Sequence, residues 1–93
     1  MPCFVHITTN ANNTVLYIGV TRDLAKRMME HRQGPNDGFT KKHKVYKLVY
    51  FEMFEDVKEA IRREKQIKGG SRKKKIDLIS KLNRDWEDLT KNL

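Results

Sequence analysis

Cysteine and proline are scarce in this sequence, and each shortage excludes something. Cys3 is the only cysteine, so no disulfide closes within the chain; a small bridge-stapled secreted scaffold is excluded and a reducing cytoplasm is expected. With two prolines, no Gly/Ser tract and no repeat, nothing marks an internal boundary. The longest apolar run, Val15 to Val20 counting Gly19, is far below the ~20 residues that cross a membrane. The opening residues lack a basic stretch followed by an apolar one, so no signal peptide is expected. P-loop, Gly-rich nucleotide motif and Ser-His-acid signature are missing, and His43 and Cys3 have no partners at zinc-ligand spacing. At 93 residues the chain has the length of one domain, short of the roughly 250 residues of a parallel β/α barrel.

Base is abundant, and unevenly placed. Lysine and arginine number 20 against 12 acids, a net charge of +8. Residues 61–75 hold eight of the bases and one acid, Glu64; residues 1–60 hold nine against seven, and 76–93 three against four. An excess confined to one block favours a polyanionic partner.

The hydrophobic pattern gives the order ββαβαα. Cys3 to Thr9 alternates, with Cys3, Val5 and Ile7 on one face and Phe4, His6 and Thr8 on the other. Asn10 to Thr14 is a run of turn formers, and Val15 to Thr21 alternates again, so the two runs form an antiparallel hairpin. Thr21 is the expected N-cap of a helix carrying Leu24 and Met28, which Gly34-Pro35 stops. After a loop over 34–44, Val45 to Phe54 forms a third strand. Asp56 caps a helix with Val57, Ala60, Ile61 and Ile67 in its stripe, ended by Gly69-Gly70; Ser71 caps a last helix lined by Ile76, Ile79 and Leu82. Trp86 is expected to anchor the C-terminal segment.

Four features could carry chemistry. Glu64 stands where the stripe calls for an apolar side chain; a buried charge is paired, neutralised or bound to metal, so it is either a hard-cation ligand or the partner of Arg63 or Lys68. Arg27 and His31 are neighbours on one helix face, either holding a phosphate and moving a proton or lying on a solvated surface. His6 and Tyr17 share a sheet face and can meet across the hairpin, as a proton-transfer pair at a surface site or as packing. Gly19, on the same face, allows close approach of a ligand or marks a bulge. The block Arg72-Lys73-Lys74-Lys75, with Arg63 and Lys68 before it and Lys41-Lys42 in the loop, suits salt-sensitive phosphate contacts without base specificity.

Tyr17-Ile-Gly19, then Asp23-Leu-Ala-Lys-Arg27, His31, and Glu64 within Ala60-Ile-Arg-Arg-Glu-Lys-Gln-Ile-Lys68, together resemble the GIY-YIG nuclease domain over residues 2–82. The Gly38-Phe-Thr-Lys-Lys42 stretch and the Leu82-Asn83 and Trp86 ending resemble its small stand-alone bacterial branch. The resemblance implies an α+β fold, a three-stranded antiparallel sheet flanked by helices, over 1–83, with 84–93 as a C-terminal extension. It implies hydrolysis of nucleic-acid phosphodiesters, DNA ahead of RNA, with one Mg²⁺ or Mn²⁺. Tyr17, Arg27 and His31 match site positions, and Glu64 matches the metal ligand. His6 stands where the first motif has tyrosine; it too accepts a proton, with an unperturbed pKa near ~6.5. A binding module without cleavage, and a basic face that docks an acidic protein, are the rival expectations. The chain is expected to act as a cytoplasmic monomer, away from membranes.

Overall fold

Alternation builds the hairpin that organises everything else. In the computed structural model, which describes residues 1–33 and 44–93 with the side chains of 31–33 set aside, β1 (Cys3–Thr9) pairs antiparallel with β2 (Leu16–Thr21). Val5 lies opposite Val20, Ile7 opposite Ile18 and His6 opposite Gly19, with an unbroken register. Asn10 holds the turn: its Oδ1 accepts from Thr14 N (2.8 Å) and Val15 N (3.1 Å), and its Nδ2 donates to Thr14 Oγ1 (2.7 Å). Asn13 takes the left-handed backbone (φ 58°) that asparagine tolerates better than most residues.

The sheet grows on the other side of β1. β3 (Lys47–Phe54) pairs antiparallel with it, giving the order β2-β1-β3, and the one register shift falls here, between Ile7 and Thr8. The bulge allowed for at Gly19 is therefore absent from the hairpin. The strand begins two residues later than Val45, which is buried all the same, because the chain turns at Lys44 (φ 55°) with Tyr46 N donating to Lys44 O.

Each face of the sheet is covered. Helix α1 (Leu24–Gln33) puts Leu24 and Met28 on the face that presents Phe4, Leu48 and Phe51. Its cap is Asp23, whose Oδ1 accepts from Lys26 N (3.0 Å); Thr21, expected in that role, instead accepts from Asp23 N (3.2 Å) one step earlier. Helix α2 (Val57–Lys68), capped by Asp56, and helix α3 (Arg72–Leu82), capped by Ser71, cover the other face, where Ala60, Ile67 and Ile79 close over Val5, Ile7 and Ile18. Two expected stripe residues face out instead. Ile61 is 41% exposed and Leu82 74%. The inward line of α2 runs through Ala60 and Ile67, and beyond Ile79 it is Asn83 that fills the space against β3, its Nδ2 donating to Val49 O (3.0 Å).

The last residues return to the body. Trp86, in a left-handed backbone (φ 53°), packs against the core and donates from Nε1 to Ser80 Oγ (3.1 Å). Asp88 caps a 3₁₀ turn (Leu89–Asn92) and accepts from Leu48 N (3.2 Å) at the start of β3. Residues 84–93 thus lie against the same sheet as residues 1–83. Besides the terminal Met1 and Leu93, large apolar side chains among the described residues remain exposed at Met29, Met53, Ile61 and Leu82, one on each of four elements, so none of these elements carries an uncovered stripe of them. Among the described residues no helix is long and apolar enough to cross a membrane.

Candidate active site

The face under α1 brings two of the expected groups together. The His6 and Tyr17 rings stand with centroids 6.4 Å apart, tilted by 43°. They are diagonal neighbours, since His6 pairs with Gly19 and Tyr17 with Thr8. Gly19 is what lets them meet: a Cβ there would come to 3.0 Å from His6 Cε1 and 3.2 Å from both His6 Nε2 and Tyr17 Cε1. The close approach expected of this glycine is made by His6 itself. A surface location for the pair holds only for Tyr17, which is half-buried on the edge strand; His6, on the central strand, is fully buried.

Arg27 and His31 follow from α1. Arg27 is half-buried on the first turn, its N–H donating to Asp23 O (3.0 Å). His31 lies one turn on along the same helix; its side chain is outside the described residues, as are Lys41, Lys42 and the rest of 34–43.

Glu64 comes from the opposite layer. It sits on α2 between the buried Ala60 and Ile67, and its side chain is 20% exposed, 3.6 Å from Lys68 Nζ. The ion pair weighed for it is present, with Lys68 rather than Arg63, and is long enough to be loose. Helix α2 crosses β1 and β2, and β2 is also the strand that carries Tyr17 and Gly19. Among the described residues no cluster of three His, Cys, Asp or Glu side chains converges. A single partly exposed carboxylate suits a hard divalent ion that keeps most of its waters, as Mg²⁺ does.

One cluster has no counterpart in the sequence pattern. Arg63 donates from Nε to both Glu52 oxygens (3.2 and 3.1 Å), from NH2 to Glu52 Oε2 (3.0 Å) and from NH1 to Gln66 Oε1 (2.7 Å), while the Tyr50 hydroxyl donates to Glu52 Oε2 in a short hydrogen bond. Burial, followed by the bond to Glu52, pushes the Tyr50 hydroxyl up to about 12. The same carboxylate raises the Arg63 guanidinium above its ordinary value. The only signal for it is the spacing of Tyr50 and Glu52, two apart in a strand and so on one face. Arg63, expected to meet phosphate, is tied to Glu52 by this network, its side chain still 28% exposed.

The other basic residues divide by partner. Arg72 donates from NH2 to Thr14 O (2.8 Å), tying α3 to the hairpin turn, and Lys68 holds Glu64. Lys73 and Lys74 are exposed and Lys75 half-buried.

Comparison with known proteins bears on this arrangement. The family model of the GIY-YIG catalytic domain matches residues 2–77. A UPF0213 protein of Staphylococcus saprophyticus is 45% identical over 65 residues, 70% of this chain and 79% of its own. UPF0213 proteins of Staphylococcus aureus are 38% identical over 76 residues, 82% of this chain and 92% of theirs. The solution NMR structure of the UPF0213 protein BH0048 from Bacillus halodurans superposes with a TM-score of 0.61 at 31% identity, covering 98% of this chain and 96% of that one.

Proposed function

Since the chain belongs to the GIY-YIG family, a family of nuclease type acting on nucleic acid, we propose that it is a divalent-metal-dependent endonuclease whose reacting groups come from both layers of the fold, with Tyr17 on the edge strand β2 among them. The observation that carries this is the Tyr17 phenol, on an edge strand and set against His6 by the space that Gly19 leaves. Tyr17 orients the attacking water and takes its proton as its own hydroxyl proton passes to the neighbouring imidazole of His6, which becomes imidazolium. Arg27 faces the phosphoryl oxygens, where a guanidinium offers paired donors to growing negative charge. His31 positions or protonates the leaving side. Glu64 would hold the ion, Mg²⁺ or Mn²⁺, in exchange for its loose contact with Lys68, and the chemistry that ion would supply is stabilisation of charge on the leaving group.

Lys41, Lys42, Lys68 and Arg72 to Lys75 guide the strand by its backbone, with DNA the favoured polymer. Cys3, buried and unpaired, suits a reducing cytoplasm, where the chain acts as a monomer.

The test is cleavage of branched, flapped, single-stranded and duplex substrates with Mg²⁺ or Mn²⁺. Arg27→Ala is expected to slow it by about 10²–10³-fold, and Glu64→Ala to abolish its metal dependence and its activity together. Failure of the unmodified protein to cut any substrate, or a Glu64→Ala protein that cuts as well, overturns the assignment. A second reading, binding without cleavage, is favoured by His6 in the first motif position; it predicts strand binding that weakens with salt and is indifferent to metal.

A further inference from the structure

Helices α2 and α3 meet at Gly69 and Gly70, and at this joint lies a hollow of about 420 Å³. Lys65, Lys74, Lys75 and Arg63 line it, together with the bare backbone of the two glycines. Lys74 and Lys75, named above as guides of the strand, are among its lining, while Tyr17, His6, Arg27 and Glu64 are not.

Charge pairing is uneven across the basic face, where Arg72 and Lys73 as well as the lysines of this hollow form no ion pair among the described residues. Outside the hollow, Arg62 is matched by Glu59 (3.1 Å) and Lys68 by Glu64 (3.6 Å); on its wall, Arg63 is matched by Glu52 (3.0 Å). Lys65, Lys74 and Lys75 form no ion pair among the described residues. Three lysines without ion-pair partners leave the charge of this concavity uncompensated, and a concave wall focuses such a field on whatever enters. The volume falls within the ~300–1,000 Å³ of ordinary ligand sites, ample for a strand's phosphate and sugar.

We propose that this hollow is an anchoring subsite for consecutive backbone phosphates of a nucleic-acid strand, separate from the Tyr17 edge. The inference rests on the nucleic-acid reading above but not on cleavage. The hollow holds the strand by charge and shape, without reading bases. Chemistry and grip are then divided between two places, so removing the grip is expected to raise KM by a larger factor than it lowers kcat.

Gly70 supplies a test that leaves charge untouched. A Cβ there meets Ile67 O at 3.4 Å and Lys74 Cβ and Cδ at 3.7 Å, ordinary contacts, so the first carbon of a larger side chain is accommodated beside Lys74 at the hollow. Binding of a fluorescein-labelled oligonucleotide is measured by anisotropy in EDTA, across a salt series, with the full chain. Gly70→Leu and the triple variant Lys65→Gln/Lys74→Gln/Lys75→Gln are each expected to weaken binding about tenfold or more. The triple variant is also expected to flatten the log–log salt slope by roughly 0.7–0.9 for each phosphate it no longer neutralises. The charge-matched control Lys58→Gln/Lys81→Gln/Lys91→Gln is expected to bind nearly as the unmodified chain.

Equal weakening in the control and hollow triple variants overturns the proposal, as does full-strength binding by a folded Gly70→Leu protein. Should Gly70→Leu fail to fold, the comparison of the two lysine triples decides alone. Pyrophosphate shifting the Gly69 and Gly70 amides when the oligonucleotide does not would assign the hollow to a small free phosphate instead. Because the assay contains no metal, its failure leaves the endonuclease reading standing, and strand binding here by a protein that cuts nothing leaves the subsite standing.

Discussion

The missing side chain at Gly19 fixes how closely the imidazole of His6 approaches β2. A methyl group there would sit 3.0 Å from a ring that is fully buried and has nowhere to retreat. Gly19→Ala is therefore expected to cost about 1–3 kcal/mol by overpacking, lowering Tm by roughly 4–8 °C per kcal/mol in a domain of this size. Combined with His6→Ala, the cost should largely vanish; strictly additive melting shifts would show that the ring is not the obstacle. Tyr50 makes a different prediction. Its hydroxyl holds its proton to about 12, whereas an unfolded tyrosine releases it near pH ~10. Between those values the folded chain binds more protons, so stability is complete below pH ~10 and drains away as pH climbs. Tyr50→Phe should flatten the alkaline arm of a melting series; an unchanged slope would place the effect on another group. Glu64 was legible because an acid interrupting an apolar line is conspicuous. Arg63 was not, because its partner Glu52 lies on another element and no periodicity gives the rotation of α2 against β3.

Among the elements, the hairpin and the three helices were readable because alternation, turn formers and caps are local signals. What failed needed the neighbouring element. The 3.6-residue repeat permits both an i+3 and an i+4 line through α2, and only contact with the sheet turns Ile61 outward and leaves Glu64 between Ala60 and Ile67. The register shift beside Ile7 and Thr8 leaves no mark in the strand's own residues. Asn83 shows how one polar side chain joins elements: it donates to Val49 O and Glu87 O and accepts from Glu87 N (3.0 Å). Asn83→Ala strands buried carbonyls and should cost roughly 2–3 kcal/mol, with faster hydrogen exchange at the Leu48 amide as its bond to Asp88 loosens. Exchange at the unmodified rate would mean that the tail holds to β3 in another way.

Taken whole, the molecule sorts its functions by layer. His6, Tyr17 and Arg27 belong to the α1 side, while Glu64 and the basic block come from the helices of the other side. Composition disclosed the basic block at once, since net charge needs no fold to be counted. Which bases of that block are matched, as Arg62, Arg63 and Lys68 are, and which are not depends on rotamers and neighbours, which composition does not hold. The strand order has its own consequence. β1 is the first strand to be synthesised and the central one of the sheet, and its second partner is complete only at Phe54. As the chain emerges from a ribosome, the early hairpin must wait with one rim bare until β3 arrives. Closing that long loop is the slow, non-local step of folding, and a chain released before Phe54 is made has a hairpin and a helix but no finished sheet.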